Sequence, residues 1–170
     1  MKVKRTNRQI ANVESYFDFS AQRWKSLYHE FDTVNDIVLL NRKDISVEFL
    51  YKYLRPGSRI LDAGCGAGIL ALDIAKKSFD VYGIDISQKM IDICEENFSQ
   101  SGIDSQKYKF QVGDVVDANL SPGTFDGVIA LGFLEYQNDE LRALRSLYNA
   151  LRPGGILICS GPIKMSISNF

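Results

Sequence analysis

Ile60-Leu61-Asp62-Ala63-Gly64-Cys65-Gly66-Ala67-Gly68 is the stretch that decides the fold of this chain. An apolar run ends on a carboxylate and is followed by three glycines at alternate positions. Glycine adopts positive φ without steric cost and leaves no Cβ between the backbone and a neighbouring molecule. Because the next residues, 69–75, are good helix formers, we expect a strand, a tight turn and a helix, the first half of a βαβ unit.

The charge of the turn indicates which kind of ligand it could hold. A dinucleotide-binding turn needs G-x-G-x-x-G, but Ile69 stands where the last glycine belongs. Asp62 would repel a pyrophosphate, whereas it would attract a ligand that carries an ammonium or sulfonium group. A structural turn without any ligand is the alternative, because a glycine-rich turn after a strand is by itself a modest signal.

Two further carboxylates follow predicted strands. Asp85 ends the strand predicted for 80–85, and Asp114 follows the strand predicted for 108–112. The carboxyl ends of parallel strands meet at one edge of a sheet, so both should lie near Asp62. Asp85 could there accept hydrogen bonds from two ribose hydroxyls, and Asp114 from an adenine amine. Alternatively, Asp85 only supplies negative charge to the helix that follows, although Ser87 already caps it.

The remaining pattern predicts strands at 125–130 and 156–160, alternating with helices. Such alternation implies right-handed crossovers and a parallel sheet with helices on both faces. Residues 1–54 form a predicted helical lid, with a basic tail at 1–9, one or two short helices at 10–30 and a helix at 36–54. Residues 55–170 form the core. One apolar stripe in each of two helices should face the core. In the lid it consists of Val38, Ile45, Phe49, Leu50 and Tyr53, and in the last helix of Leu141, Leu144, Tyr148 and Leu151. Asp139 is expected to cap this last helix.

Together, the motifs I-L-D-A-G-C-G-A-G, G-I-D-I-S, G-D-V, F-D-G-V-I-A-L-G and L-R-P-G-G resemble those of class I S-adenosylmethionine-dependent methyltransferases over about residues 55–160. The resemblance implies an α/β, Rossmann-like, doubly wound sheet of strand order 3-2-1-4-5 and S-adenosylmethionine as cofactor. It also implies antiparallel strands after strand five, which this chain lacks, so we expect a fragment; the alternative is a fold that is closed in another way.

The resemblance assigns roles to the residues of these motifs. The loop Asp62, Ala63, Gly64, Cys65, Gly66 and Gly68 would hold the methionine half, with Asp62 near its ammonium group. Asp85 would hold the ribose, Ile86 would pack on the adenine, and Asp114 with Val115 would contact the adenine edge. Leu131 and Phe133, within 130–133, would lie beside the transferable methyl group.

The N-terminal aromatic residues offer the only indication of the acceptor. The segment 13–35 is similar to the start of magnesium-protoporphyrin O-methyltransferases, but the match is short and degenerate. We expect O-methylation of a carboxylate or hydroxyl on a small molecule. The candidate acceptor contacts or bases are His29, Tyr28, Tyr16 and Tyr136. A non-catalytic module that keeps the fold is the alternative.

Composition excludes several other classes of protein. The formal charge is −1, from 20 basic and 21 acidic residues among 170, so there is no overall basic field for nucleic acid. No apolar run is long enough for a membrane span or a signal peptide, which favours a cytoplasmic location. Cys65, Cys94 and Cys159 lack metal-ligand spacing and are expected to be buried free thiols, with no metal site.

Overall fold

The computed structural model describes residues 7–26 and 34–161, which form an α/β structure around one parallel sheet. The helices are α1 (Asn7–Ser26), α2 (Val34–Tyr53), α3 (Ile69–Lys76), α4 (Gln88–Gln100) and α5 (Glu140–Ala150). The strands are β1 (Arg59–Ala63), β2 (Asp80–Asp85), β3 (Tyr108–Val112), β4 (Phe125–Ala130) and β5 (Leu151–Cys159). Short 3-10 helices span Ser105–Lys107 and Leu134–Tyr136.

The sheet has the predicted strand order, β3-β2-β1-β4-β5. All four neighbouring pairs are parallel, and Ile60 of β1 lies beside Val81 of β2 and Gly127 of β4. The strand order reverses between β1 and β4, so the carboxyl end of β1 lies at the switch point where open α/β sheets bind ligands, and that of β2 lies next to it.

Helices cover both faces of the sheet, as predicted. Alternate residues of β1 point to opposite faces, since Ile60 belongs to one buried cluster and Leu61 to the other. The first cluster joins the sheet to α2, α3 and α4, with Leu50 and Phe98 fully buried. The second joins it to α5 through Leu147. The sheet is therefore fixed from both sides beneath the ligand edge.

The two predicted N-caps are confirmed. Ser87 Oγ accepts a hydrogen bond from the Met90 amide at 3.1 Å at the start of α4. Asp139 Oδ1 accepts one from the Arg142 amide at 2.9 Å at the start of α5. In the N-terminal part, α1 is a single helix that already begins at Asn7, so residues 7–9 belong to a helix and not to the expected tail.

Both predicted apolar stripes are wrong in detail. In α2, Leu50 is buried, but Val38, Ile45, Phe49 and Tyr53 are each about half exposed or more. Apolar residues occur all around this helix, so their spacing cannot identify the face that packs on the sheet.

In α5 the buried residues are Ala143, Leu147 and Ala150, whereas Leu141 and Tyr148 are exposed. The small alanines let this helix lie close to the sheet. Leu144 and Leu151 of the predicted stripe are partly buried against the same core, so the observed face overlaps the predicted one and is rotated from it.

Strand β5 is longer than predicted. It begins at Leu151, directly after α5, and includes the Pro153–Gly155 segment that was expected to separate the two elements. The register between β4 and β5 shifts at these residues, because Phe125 pairs with Leu151 and Gly127 pairs with Ile156. Cys159 at the strand end is exposed, which corrects the expectation that all three thiols are buried. Residues 162–170 lie outside the described part.

Candidate functional site

The glycine-rich loop is held against β2 by the backbone. The amides of Gly64 and Cys65 both donate to the carbonyl oxygen of Ile84, at 2.8 and 3.1 Å. Gly64 and Gly66 have φ of +77° and +52°, a region that side chains rarely adopt. A Cβ built on Gly66 would meet nothing within 4 Å, so the loop leaves open space at this point.

Gly68 has a different role from the other two glycines. It adopts φ of +82° at the start of α3, and a Cβ there would lie 2.3 Å from the Sγ of Cys94. Gly68 is needed for close packing of the loop on α4, and neither it nor Ala63 lines the cavity described next.

A cavity of about 360 Å³ opens at the carboxyl ends of the strands. It lies between the loop, the ends of β1 to β4, α1 and α2. The predicted cofactor residues on its wall are Asp62, Gly64, Cys65, Gly66, Asp85, Ile86, Asp114, Val115, Leu131 and Phe133. The structure thus brings together ten of the twelve residues that the sequence singled out.

Asp62 lies at the floor of the cavity with only 2% of its surface exposed. Its Oδ2 atom is buried and has no hydrogen-bond partner in the structure. Burial, with a smaller contribution from the charge of Asp85, raises the pKa of Asp62 to about 7. A buried carboxylate oxygen without a partner is costly, which indicates a site for a cationic donor.

Arg42 of α2 is a cavity residue that the sequence did not single out. Its Nε atom is buried and has no hydrogen-bond partner, while its Nη1 donates to Ser160 Oγ at 3.4 Å. Ser160 Oγ also accepts from the amide of Gly132 at 2.9 Å, which ties α2 to the ends of β4 and β5. Only the tertiary fold brings this helix to the cavity, so local sequence carried no signal for Arg42.

Asp85 is fixed by the backbone on both of its carboxylate oxygens. Oδ2 accepts from the Gly66 amide and Oδ1 from the Ser87 amide, each at 2.9 Å. Burial raises the pKa of Asp85, while these amide hydrogen bonds oppose the shift. The remaining lone pairs of this carboxylate can accept hydrogen bonds from a ligand.

The end of β3 closes the same edge. The amide of Gly113 donates to the carbonyl oxygen of Asp85 at 2.8 Å, which joins the two strand ends. Asp114 Oδ1 accepts from the Val116 amide at 3.0 Å and turns the chain there. Val115 is buried at the cavity wall.

An aromatic cluster of Tyr16, Phe17 and Tyr136 lies on the cavity wall away from β3. The ring centroid of Phe17 is 5.2 Å from that of Tyr16 and 5.0 Å from that of Tyr136. Burial raises the pKa of Tyr136. Glu135, beside this cluster, also lines the cavity and was not singled out in the sequence. Tyr28 and His29 lie outside the described residues.

Comparison with known proteins agrees with this geometry. A family model described as a methyltransferase domain matches residues 60–155. The chain belongs to this methyltransferase family. Membership confirms the predicted class, the S-adenosylmethionine-dependent methyltransferases, and with it the predicted cofactor. Within the described residues, no helix of this family member combines the length and apolar character that crossing a membrane requires.

Individual relatives extend the comparison. A ubiquinone biosynthesis O-methyltransferase of Alkalilimnicola ehrlichii is 30% identical over 156 residues, which cover 91% of this chain and 61% of that protein. The chain therefore spans less than two thirds of that methyltransferase.

Two solved structures share the fold, each at 23% identity. Magnesium protoporphyrin IX methyltransferase from Synechocystis PCC 6803, solved with bound S-adenosylmethionine, aligns with a TM-score of 0.75 over 88% of this chain and 74% of that one. The cyclase SpnF aligns with a TM-score of 0.72 over 87% of this chain and 58% of that one. A cyclase and a methyltransferase can share this architecture, so the fold alone does not define the reaction.

Proposed function

We propose that this protein transfers the methyl group of S-adenosylmethionine to an oxygen atom of a small, largely apolar molecule. One observation carries the proposal. Among the described residues, the buried side-chain atoms without a hydrogen-bond partner are one oxygen of Asp62 and one nitrogen of Arg42, and both residues line the same cavity. An acidic and a basic group that each have a buried atom without a partner suit the ammonium and carboxylate groups of an amino acid.

The cofactor residues would divide the ligand between them. Asp62 would accept from the ammonium group and Arg42 would donate to the carboxylate, while the open space at Gly66 admits the methionine chain. Asp85, which its two amide bonds hold in place, would accept from the ribose hydroxyls. Asp114 and Val115 would contact the adenine edge.

The acceptor would lie on the aromatic side of the cavity. Tyr16, Phe17 and Tyr136 offer ring faces and edges to a flat apolar molecule. Residues 131–133 connect this aromatic cluster to the end of β4, beside which the transferable methyl is expected. The O-methyltransferase activity in the name of the Alkalilimnicola relative supports oxygen as the methylated atom.

The protein would contribute mainly by positioning the reactants. The sulfonium of the cofactor supplies an activated methyl group. A carboxylate acceptor would need no base, whereas a hydroxyl acceptor would lose a proton as the O–CH₃ bond forms. Glu135, which lines the cavity beside the aromatic cluster, would accept that proton in preference to the phenolate of Tyr136, whose formation burial disfavours.

Calorimetry followed by product analysis tests the proposal. We expect the protein to bind S-adenosylmethionine and S-adenosylhomocysteine, and to give no heat with NAD. Incubation with S-adenosylmethionine and a panel of phenols and aromatic carboxylic acids should yield a product heavier by one methylene in mass spectrometry. Failure to bind either nucleoside would refute the proposal, and binding without any product would favour the non-catalytic alternative.

A further inference from the structure

Helix α1 is attached to the cofactor edge by a short series of hydrogen bonds. Ser87 Oγ donates to Asp18 Oδ1 of α1 at 2.5 Å. The amide of the same Ser87 donates to Asp85, and Asp85 in turn accepts from the Gly66 amide of the loop. Three hydrogen bonds therefore connect α1 to the turn that contacts the cofactor.

The hydrogen bond between Asp18 and Ser87 is partly buried. Ser87 is fully buried, and its Oγ also caps α4 through Met90. Around it, Ala21 of α1 packs with Ala67, Met90 and Ile93, and Phe17 covers this small cluster. A charged acceptor in such a setting makes a stronger hydrogen bond than at an exposed surface.

Helix α1 also forms one wall of the cavity, through Val13, Tyr16, Phe17 and Ser20. A ligand that fills the cavity contacts α1 only while α1 stays docked on α4. If α1 is docked for part of the time, the apparent affinity for the ligand falls in proportion to the docked fraction.

We propose that Asp18 is a positioning residue that couples docking of α1 to occupation of the cofactor site. This inference rests on the proposed function, because it takes S-adenosylmethionine as the ligand of the cavity. Asp18 acts through Ser87 and Asp85 and does not itself contact the cofactor. The bound cofactor in turn holds α1 in place, since linkage between two sites is reciprocal.

Three variants test the coupling by calorimetry with S-adenosylmethionine and S-adenosylhomocysteine. Asp18→Ala should weaken the affinity for both ligands roughly ten- to 150-fold, the range for losing one charged hydrogen bond. Asp18→Asn keeps an acceptor oxygen and should restore most of the affinity. Glu14→Ala removes a carboxylate from the same helix one turn earlier and should bind like the parent protein.

Hydrogen exchange separates coupling from a merely structural role. In the parent protein, S-adenosylhomocysteine should increase amide protection at residues 13–21. In Asp18→Ala, protection there should be low without ligand and recover only at higher ligand concentration, while the protection of β1 and β4 stays unchanged.

The possible failures are distinguishable. If the parent protein binds and Asp18→Ala binds equally tightly, the coupling is refuted and the proposed function stands. Equal protection of α1 in the two proteins without ligand would refute it as well. If the parent protein binds neither ligand, the proposed function fails first.

Discussion

Asp62 combines a cost in stability with a proposed role in binding. Folding raises its pKa from an ordinary value of 3.8 to about 7, so the folded protein holds this proton more tightly than the unfolded chain does. The unliganded protein therefore loses stability as the pH rises from the lower value to the higher one, by up to roughly 4 kcal/mol.

Replacing Asp62 should expose both effects. At pH 8 we expect the free energy of unfolding, measured in urea, to be higher for Asp62→Asn than for the parent by roughly 1 to 4 kcal/mol. This difference should shrink as the pH falls towards 4. The same variant should bind S-adenosylmethionine more weakly, because it lacks the charge that attracts the ammonium group. The affinity of the parent protein for S-adenosylmethionine should rise as the pH increases through 7, whereas the affinity of Asp62→Asn should not. Equal pH dependence in the two proteins would contradict the proposed role of Asp62.

Two glycines of the loop should respond differently to alanine. Gly66→Ala places a methyl group in open cavity space, so it should weaken cofactor binding at least tenfold. Because Gly66 has a positive φ, the same change should also lower the free energy of unfolding by roughly 1 to 2 kcal/mol. Gly68→Ala also pushes a methyl group against Cys94, so the loss of stability should be larger. Calorimetry measures the loss of binding and urea unfolding the loss of stability in both variants. A larger loss of stability in Gly66→Ala and a larger loss of binding in Gly68→Ala would contradict the assigned roles.

Asp85 should be important for affinity as well as for holding the loop in place. Asp85→Ala removes a charged acceptor for two ribose hydroxyls and should weaken S-adenosylmethionine binding by about 1 to 3 kcal/mol. Asp92→Ala, an acidic residue on α4 that does not line the cavity, is the matched control. An unchanged dissociation constant for Asp85→Ala would remove this residue from the site.

At the scale of elements, sequence reasoning succeeded where the signal is local. Apolar runs located β1, β2 and β4, and alternating apolar and polar residues located β3. Ser87 and Asp139 marked the helix starts because capping depends on a few adjacent residues. The buried faces of α2 and α5 were missed because they depend on which side meets the sheet. Arg42 was missed for the same reason, since only the docking of α2 brings it to the cavity.

The corrected face of α5 can be tested by truncating leucines. Leu147 is fully buried, so Leu147→Ala should destabilise the protein by about 2 to 5 kcal/mol. Leu141 is 58% exposed, and Leu141→Ala should cost less than about 0.5 kcal/mol. Urea unfolding measures both, and comparable losses would mean that α5 is rotated from the described orientation.

At the scale of the whole molecule, the cavity is built from segments far apart in the chain. Residues from α1, α2 and the ends of β1 to β4 all line it. A ligand that contacts all of these segments binds the folded state alone, so it should stabilise the entire domain. At a concentration one hundred times its dissociation constant, S-adenosylmethionine should add about 2.7 kcal/mol to the free energy of unfolding. Thermal unfolding with NAD as control checks this, and an equal shift with NAD would argue against a selective site.

The attachment of the glycine-rich loop to the Ile84 carbonyl and to Asp85 has a kinetic consequence. A loop that is already hydrogen-bonded on both sides loses little conformational entropy when a nucleoside binds. Preorganisation of this kind leaves the arrival rate close to that of ordinary diffusive encounter, so differences in residence time should account for most differences in affinity among analogues of the cofactor.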